Sequence, residues 1–219
     1  MKVNTDGVLL AVMADPVMPR TILDIGTGTG VIALIMAQRF SSATIMAVEI
    51  DENAASTARR NFSDSVFNSR LQVDHTSIEN YFAENDSAKF DLIISNPPFF
   101  IGSLKSDDPL KTMARHTDQL FFESLLHNAV LHLEKNGSID MILPVILSEI
   151  AQVLASKAGL YLQKKICISS FADSIPHRHV LSWGLTFQQV EEKDFVIYSR
   201  PKEYSAEYRS ILKEFFTIF

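Results

Sequence analysis

ILDIGTGTGVIALIMAQ, residues 22–38, contains a short apolar run, three alternating glycines and a longer run of helix-forming residues. This order is typical of a β-strand, a tight turn and an α-helix, because glycine adopts backbone conformations that other residues avoid. An acid, Asp24, lies two residues before the first glycine, and the glycines are Gly26, Gly28 and Gly30. The stretch therefore predicts the first strand and helix of an α/β fold, with a ligand-binding loop between them.

Short apolar runs alternate with helical segments through residue 158. The predicted strands are Thr21–Ile25, Thr44–Glu49, Leu71–His75, Phe90–Ser95 and 138–143, and the predicted helices cover about 29–39, 52–62, 120–134 and 146–158. These strands are mostly continuously apolar, which is typical of strands covered on both faces. The alternation predicts a doubly wound parallel sheet. Later segments predict an added antiparallel strand pair at 166–171 and 182–190, and an amphipathic helix within 205–219.

Composition limits the class of protein. The chain has 219 residues, of which 47% are hydrophobic, so we expect one domain over residues 1–219. A net charge of -6 argues against strong nonspecific nucleic-acid binding. The charge is uneven, since residues 1–95 hold 7 basic and 12 acidic side chains and residues 96–219 hold 13 and 14. If a polyanion binds, the second half of the chain is therefore the expected side.

Localisation is predicted from what the sequence lacks. Its single cysteine, Cys167, cannot form an internal disulfide, which fits a reducing compartment. The sequence carries no signal-peptide pattern and no apolar run of about 18 residues. We therefore expect a soluble, cytoplasmic protein.

Two acids distinguish the glycine loop from a dinucleotide-binding loop. The third glycine comes one residue earlier than in the dinucleotide fingerprint. Asp24 would face a pyrophosphate badly but suits a ligand with an ammonium group. Glu49 ends the next predicted strand, where an acid binds ribose hydroxyls. The combination favours S-adenosylmethionine over NAD, and the alternative is a structural turn beside two incidental acids.

A third segment, MKVNTDGVLLA at the N-terminus, places Thr5 and Asp6 before an apolar helical run. An acid at a helix start either caps the helix or contacts a ligand. Both interpretations of Asp6 stay open from the sequence.

SNPPFF, residues 95–100, follows the fourth predicted strand. Because proline disfavours helical backbone at the preceding residue, Asn96 and Pro97 are expected to be extended. The Asn96 oxygen and the Pro97 carbonyl can accept both hydrogens of an exocyclic amine, and Phe99 can stack on a planar substrate. Phe100 either lines the same pocket or packs beneath the loop.

DIGTGTG, AVEID and NPPF, in this order and spacing, resemble class I methyltransferases that act on planar amide or amino nitrogens. MKVNTDGVLL, NPPFF, ARHTDQL, SIPHRHVL and EYSAEYRSILKEFF further resemble the bacterial tRNA1(Val) adenine-37 N6-methyltransferase family, over nearly the whole chain. The resemblance implies a Rossmann-like α/β fold: a seven-stranded, mostly parallel sheet with helices on both faces and a C-terminal antiparallel strand pair. It also implies S-adenosyl-L-methionine as cofactor and tRNA as substrate.

The resemblance assigns roles to particular residues. Cofactor contacts are implied for Asp24, Gly26, Gly28 and Glu49, with Asn96 beside the cofactor and Thr5 and Asp6 near its methionine end. The target adenine would be held by Asn96, Pro97 and Phe99. The RNA-facing residues would be Arg115, His116, His177 and Arg178.

This sequence departs from the family pattern in two places. Such enzymes often carry an acid where this chain has Ser77, to contact the cofactor's adenine amine. Ser77 can still accept a hydrogen bond, and Asp74 or Glu79 could substitute for it. In addition, the family pattern usually starts upstream of MKVNTDGVLL, so a short N-terminal segment is expected to precede this sequence.

Other functions remain open at this stage. They are glutamine N5 methylation of a protein, adenine-N6 methylation of DNA or ribosomal RNA, small-molecule methylation, and a noncatalytic partner subunit, since fold alone does not fix substrate. His177, Arg178 and His179 invite a metal interpretation, but no set of ligands with useful spacing lies nearby, so no metal is expected. We expect a monomer.

Overall fold

The computed structural model describes residues 5–98 and 109–216, of which 109–118 are described by their backbone alone. The strands are β1 (Thr21–Ile25), β2 (Thr44–Glu49), β3 (Leu71–His75), β4 (Phe90–Ser95), β5 (Leu133–Pro144), β6 (Tyr161–Ser169), β7 (Arg178–Gly184), β8 (Glu191–Val196), β9 (Tyr198–Arg200) and β10 (Glu203–Tyr204). The α-helices are α1 (Thr5–Met13), α2 (Val31–Arg39), α3 (Glu52–Asp64), α4 (Ile78–Glu84), α5 (Pro109–His132), α6 (Val145–Ala158) and α7 (Ala206–Leu212).

The main sheet has the strand order β3-β2-β1-β4-β5-β7-β6-β8, and β9 pairs with β10 separately. Within it, β7 runs antiparallel to β5 and β6, whereas the other pairings are parallel. The order reverses between β1 and β4, and ligands of such sheets bind at the carboxyl ends of the strands near this point. Ile25 pairs with both Val48 and Ser95, so β1, β2 and β4 end side by side.

Two apolar clusters cover the two faces of the sheet. Ile22 belongs to the cluster that contains residues of α1, α2 and α7, and Leu23 belongs to the cluster that contains residues of α4, α5 and α6. The two side chains point to opposite faces because successive residues of a strand alternate. Both are fully buried because each face is covered. This two-sided cover explains the continuous apolar runs of the strands.

The predicted α/β fold class is confirmed, and the first four strands have the predicted bounds. The sheet has eight strands rather than seven because β8 lies beside β6. Four of the six side chains of β8 are exposed, so the sequence carried no apolar signal for it. Strand β7 ends at Gly184 and does not extend to 190, and Phe187 beyond it is 80% exposed.

Helix α4 was not predicted, since it has only 7 residues. The predicted C-terminal helix is shorter than expected and ends at Leu212. Of the helices described, none is both long enough and apolar enough to cross a membrane.

Candidate active site

The loop between β1 and α2 depends on glycine for its shape. Gly26 and Gly28 have φ angles of 70° and 60°, in the left-handed region that other residues rarely adopt. A Cβ added at Gly26 would meet no atom of the described residues within 4 Å, so this part of the loop borders space that those residues leave open. The loop therefore offers its backbone to a ligand at the carboxyl edge of the sheet.

Asp24 is a fully buried acid beneath this loop. Its Oδ2 accepts hydrogen bonds from the Thr27 hydroxyl at 2.5 Å and from the Ala33 amide at 3.2 Å. Burial raises the pKa of Asp24 to about 7, against the two hydrogen bonds that lower it, and the charge of Glu49 raises it further. Its Oδ1 is buried and has no hydrogen-bond partner in the part of the chain that the structure describes. Such an atom is a suitable acceptor for a cationic ligand group.

Glu49 lies beside the loop at the end of β2. Its Oε2 accepts from the Gly28 amide at 2.7 Å, and its Oε1 accepts from the Asp51 amide at 2.9 Å. Each carboxylate oxygen has further acceptor capacity, so the fixed carboxylate can still bind ribose hydroxyls. The hydrogen bond to Gly28 ties the predicted ribose acid to the glycine loop.

Ile50, which the sequence analysis did not single out, follows Glu49 and is 71% exposed. The ring of His75 contacts the Ile50 carbonyl oxygen through Nε2 at 3.1 Å, and the Thr76 amide donates to the Glu49 carbonyl at 3.1 Å. The end of β3 thereby holds this turn in place. The sequence shows an apolar residue directly after Glu49. It does not show that this side chain is exposed, which is why Ile50 was missed.

Asn96 emerges from β4 next to the glycine loop. The Ser95 hydroxyl donates to the Ile25 carbonyl at 2.9 Å and joins the ends of the two strands. Among the described residues, the buried side-chain oxygen of Asn96 has no hydrogen-bond partner, and Pro97 is buried. A buried acceptor of this kind is unfavourable unless a ligand donates to it. Phe99 and Phe100 lie outside the described residues.

The first turn of α1 lies beside Asn96. A Cβ added at Gly7 would lie 3.5 Å from Nδ2 of Asn96. Asp6 accepts a hydrogen bond from Nε of Arg178 at 2.8 Å, in an ion pair whose side chains are 18% and 29% exposed, respectively. Thr5 begins the helix and is exposed. The structure thus places the predicted cofactor residue Asp6 against the predicted RNA-facing residue Arg178.

Ser77 follows β3, the strand beside β2. It is half-buried and forms the N-cap of α4, with its hydroxyl accepting from the Asn80 amide at 3.2 Å. Asp74 and Glu79 are exposed. The cap gives Ser77 a local structural role, and which of the three residues contacts a cofactor adenine stays a prediction.

The structure describes only some of the side chains that are predicted to face RNA. His177 is exposed next to Arg178, whose Nη1 donates to the His177 carbonyl at 2.9 Å. Arg115 and His116 lie in α5, but their side chains are outside the described part of the chain. The RNA roles of all these residues stay predictions.

The histidine pair around Arg178 does not form a metal centre in the described structure. His179 is buried, and its Nδ1 lies 2.7 Å from the Ser148 hydroxyl oxygen. Across residues 5–98 and 109–216, no three His, Cys, Asp or Glu side chains among those described are grouped to hold a metal ion.

Sequence comparisons identify relatives along the whole chain. Residues 4–155 match the family model described as methyltransferase small domain. A tRNA1(Val) (adenine(37)-N6)-methyltransferase of Pedobacter heparinus is 41% identical over 219 residues, which are 100% of this chain and 92% of that relative. A relative with the same name from Phocaeicola vulgatus is 40% identical over 216 residues, which are 99% of this chain and 91% of that protein.

Solved structures share the architecture at lower identity. A protein described as a predicted O-methyltransferase from Agrobacterium tumefaciens has a TM-score of 0.68 at 17% identity, covering 95% of this chain and 96% of its own. A methyltransferase from Pyrococcus furiosus has a TM-score of 0.61 at 23% identity and covers 85% of both chains. At these identities, the likeness concerns the fold alone.

Proposed function

Because the chain belongs to the tRNA1(Val) (adenine(37)-N6)-methyltransferase family, we propose that it methylates N6 of adenine 37 in tRNA1(Val). The methyl donor is S-adenosylmethionine, which supplies an electrophilic methyl group on a sulfonium. The observation that carries the proposal is the buried side-chain oxygen of Asn96 at the carboxyl end of β4, which has no hydrogen-bond partner within residues 5–98 and 109–216 as described. An exocyclic amine that donates to this oxygen would satisfy it.

The residues around the glycine loop fit S-adenosylmethionine. The Oδ1 of Asp24, which no described residue contacts by a hydrogen bond, would accept from its ammonium group. Glu49, held by the Gly28 amide, would accept from the ribose hydroxyls. The exposed side chain of Ile50 would cover one face of the adenine ring, since an apolar group beside the ribose acid can shield that ring from water. The open space at Gly26 leaves room for the ligand to approach the backbone.

Asn96 and Pro97 would orient the target amine. Adenine N6 is a poor nucleophile because its lone pair is delocalised into the ring. The Asn96 oxygen and the Pro97 carbonyl would each accept one hydrogen of the amine, which favours a tetrahedral nitrogen and directs its lone pair. The proton that N6 releases after transfer can go to water, so no strong base is required.

A base beside the anticodon suits this site. Single-stranded bases can be turned out of the stack with little energy and placed on an aromatic side chain, the role proposed for Phe99. Arg115, His116 and His177 are the proposed RNA-facing residues. We further propose that the chain is one domain, acts as a monomer and works in the cytoplasm, where its tRNA substrate is found.

Methylation of tRNA tests this function directly. The protein is incubated with isotope-labelled S-adenosylmethionine and bulk tRNA that lacks the modification, and the labelled nucleoside is mapped. N6-methyladenosine at position 37 of tRNA1(Val) supports the proposal. Label that enters protein, DNA or a small molecule instead would overturn it, and Asn96→Ala is the control for catalysis at this site.

A further inference from the structure

We propose that Arg178 is a positioning residue that acts through Asp6 to hold the first turn of α1 against Asn96. The N-terminal helix then forms one wall of the site for the target nitrogen. This inference rests on the proposed function, and it changes the expected roles of both residues, since Arg178 was predicted to face RNA and Asp6 to contact the cofactor.

Arg178 is held in a fixed position by the sheet. It is the first residue of β7, and it pairs with Pro144 of β5 on one side and Ile168 of β6 on the other. The next residue, His179, is buried against Ser148 of α6. A guanidinium on such a backbone can locate a partner more precisely than one on a loop.

The ion pair itself joins two distant parts of the chain. Nε of Arg178 lies 2.8 Å from Oδ2 of Asp6, 172 residues away in sequence. Both side chains are largely shielded, at 29% and 18% exposed, so the charges are screened less than those of a surface pair. Asp6 also lies in the first turn of α1, where a negative charge favours the helix dipole.

Helix α1 is fastened at its other end by a second arginine. Nη1 of Arg39 donates to the carbonyls of Ala11 and Ala14 at 2.6 Å and 2.5 Å. Within α1, Leu10 and Ala11 are fully buried. Arg39 and the core therefore hold the end of α1, and the Asp6–Arg178 pair holds its beginning.

The beginning of α1 is the part that lies beside Asn96. Gly7 follows Asp6, and a Cβ there would lie 3.5 Å from Nδ2 of Asn96. A shift of this turn would move Gly7 away from the side-chain amide of Asn96, and the amide would then be less restricted in position. Small misplacements of an orienting group can lower turnover about 10²-fold, so the ion pair bears on catalysis without touching substrate.

Steady-state kinetics separate positioning from RNA binding. Arg178→Met and Asp6→Asn are each expected to lower kcat about tenfold or more, with the KM for tRNA within about threefold of wild type. The kcat of the double variant should be little lower than that of either single variant, because each single substitution already removes the same ion pair. An Arg178 that binds phosphate would instead raise KM and reduce the salt dependence of binding by about one counterion, with kcat retained, and this result would overturn the inference.

Hydrogen exchange tests the same inference without activity. In both single variants, amides in the first turn of α1 should exchange at least about tenfold faster, whereas amides near Ala11 should change little. Unchanged exchange at the first turn would refute the anchoring role, even if the protein methylates another substrate. Arg200→Met is the matched control, since Arg200 is an ion-paired arginine on the separate β9–β10 pair, and it should alter neither kcat nor exchange in α1.

Discussion

The Thr27 hydroxyl donates to Oδ2 of Asp24 at 2.5 Å, and the other oxygen of this buried carboxylate has no hydrogen-bond partner among the residues that the structure describes. The hydrogen bond fixes the carboxylate and directs its free acceptor capacity to Oδ1. Burial raises the pKa of Asp24 to about 7, so near neutral pH the free protein contains both the acid and the carboxylate. Binding a cation would convert the mixture to the carboxylate.

Cofactor affinity should therefore depend on pH below neutrality. Because the ammonium group needs ionised Asp24, whose pKa is about 7, binding should be roughly fivefold weaker at pH 6 than at pH 7. Above about pH 8 the affinity should fall again as the amino group of the ligand loses its proton. Isothermal titration calorimetry over pH 5.5–9 measures both limbs. Affinity that stays constant from pH 5.5 to 7.5 would exclude the pairing with Asp24.

The same carboxyl group should lower stability as pH rises. Its pKa is about 7 in the folded protein against an ordinary value of 3.8 for aspartate, so the folded state binds the proton more tightly than the unfolded chain. The contribution of this carboxyl group to the free energy of unfolding is fully present below about pH 4. It is lost between about pH 4 and 7, by on the order of 4 kcal/mol at most.

Asp24→Asn removes this titration and preserves the size of the side chain. Urea unfolding should show that the variant gains stability relative to wild type at pH 8 and not at pH 4.5. Comparing the two proteins cancels the other titrating groups, among them Asp140, whose burial raises its pKa to about 6. An equal difference in the free energy of unfolding at both pH values would contradict a raised pKa for Asp24.

The sequence predicted the cofactor side of the site because its signals are local. Asp24, Glu49 and Asn96 each lie at or just after the end of a strand that the apolar pattern marks correctly. In a parallel sheet these ends meet at one edge, so correct strand bounds place the three side chains together. Nothing beyond the order of the strands was needed for this part.

The Asp6–Arg178 pair could not be predicted in the same way. It forms because β7 runs against its neighbours and brings its first residue to the edge where α1 begins. The sequence does not specify which strand is reversed or where it starts, and the strand predicted for 182–190 left Arg178 in a loop. The capping role of Ser77 was missed for a related reason, because α4 was not predicted.

Asn96→Ala should separate turnover from cofactor binding. The variant loses the acceptor for the target amine, so turnover should fall about 10²-fold or more, whereas affinity for S-adenosylmethionine should stay within a few-fold of wild type. Single-turnover methylation of tRNA and calorimetric titration of the cofactor measure the two quantities. Asn68→Ala, in the 3₁₀-helix Asn68–Arg70, is the matched control and should change neither. Full turnover by the Asn96 variant would remove this residue from the mechanism.

Ile50→Asp should weaken cofactor binding without unfolding the protein. The side chain is 71% exposed, so replacing it should shift the melting temperature little. A carboxylate beside Glu49 would remove apolar cover from the adenine ring, and we expect affinity for S-adenosylmethionine to fall about tenfold. Val66→Asp provides the control, because Val66 is 89% exposed and lies in the segment after α3. If the two variants bind the cofactor equally well, Ile50 does not contact the adenine ring.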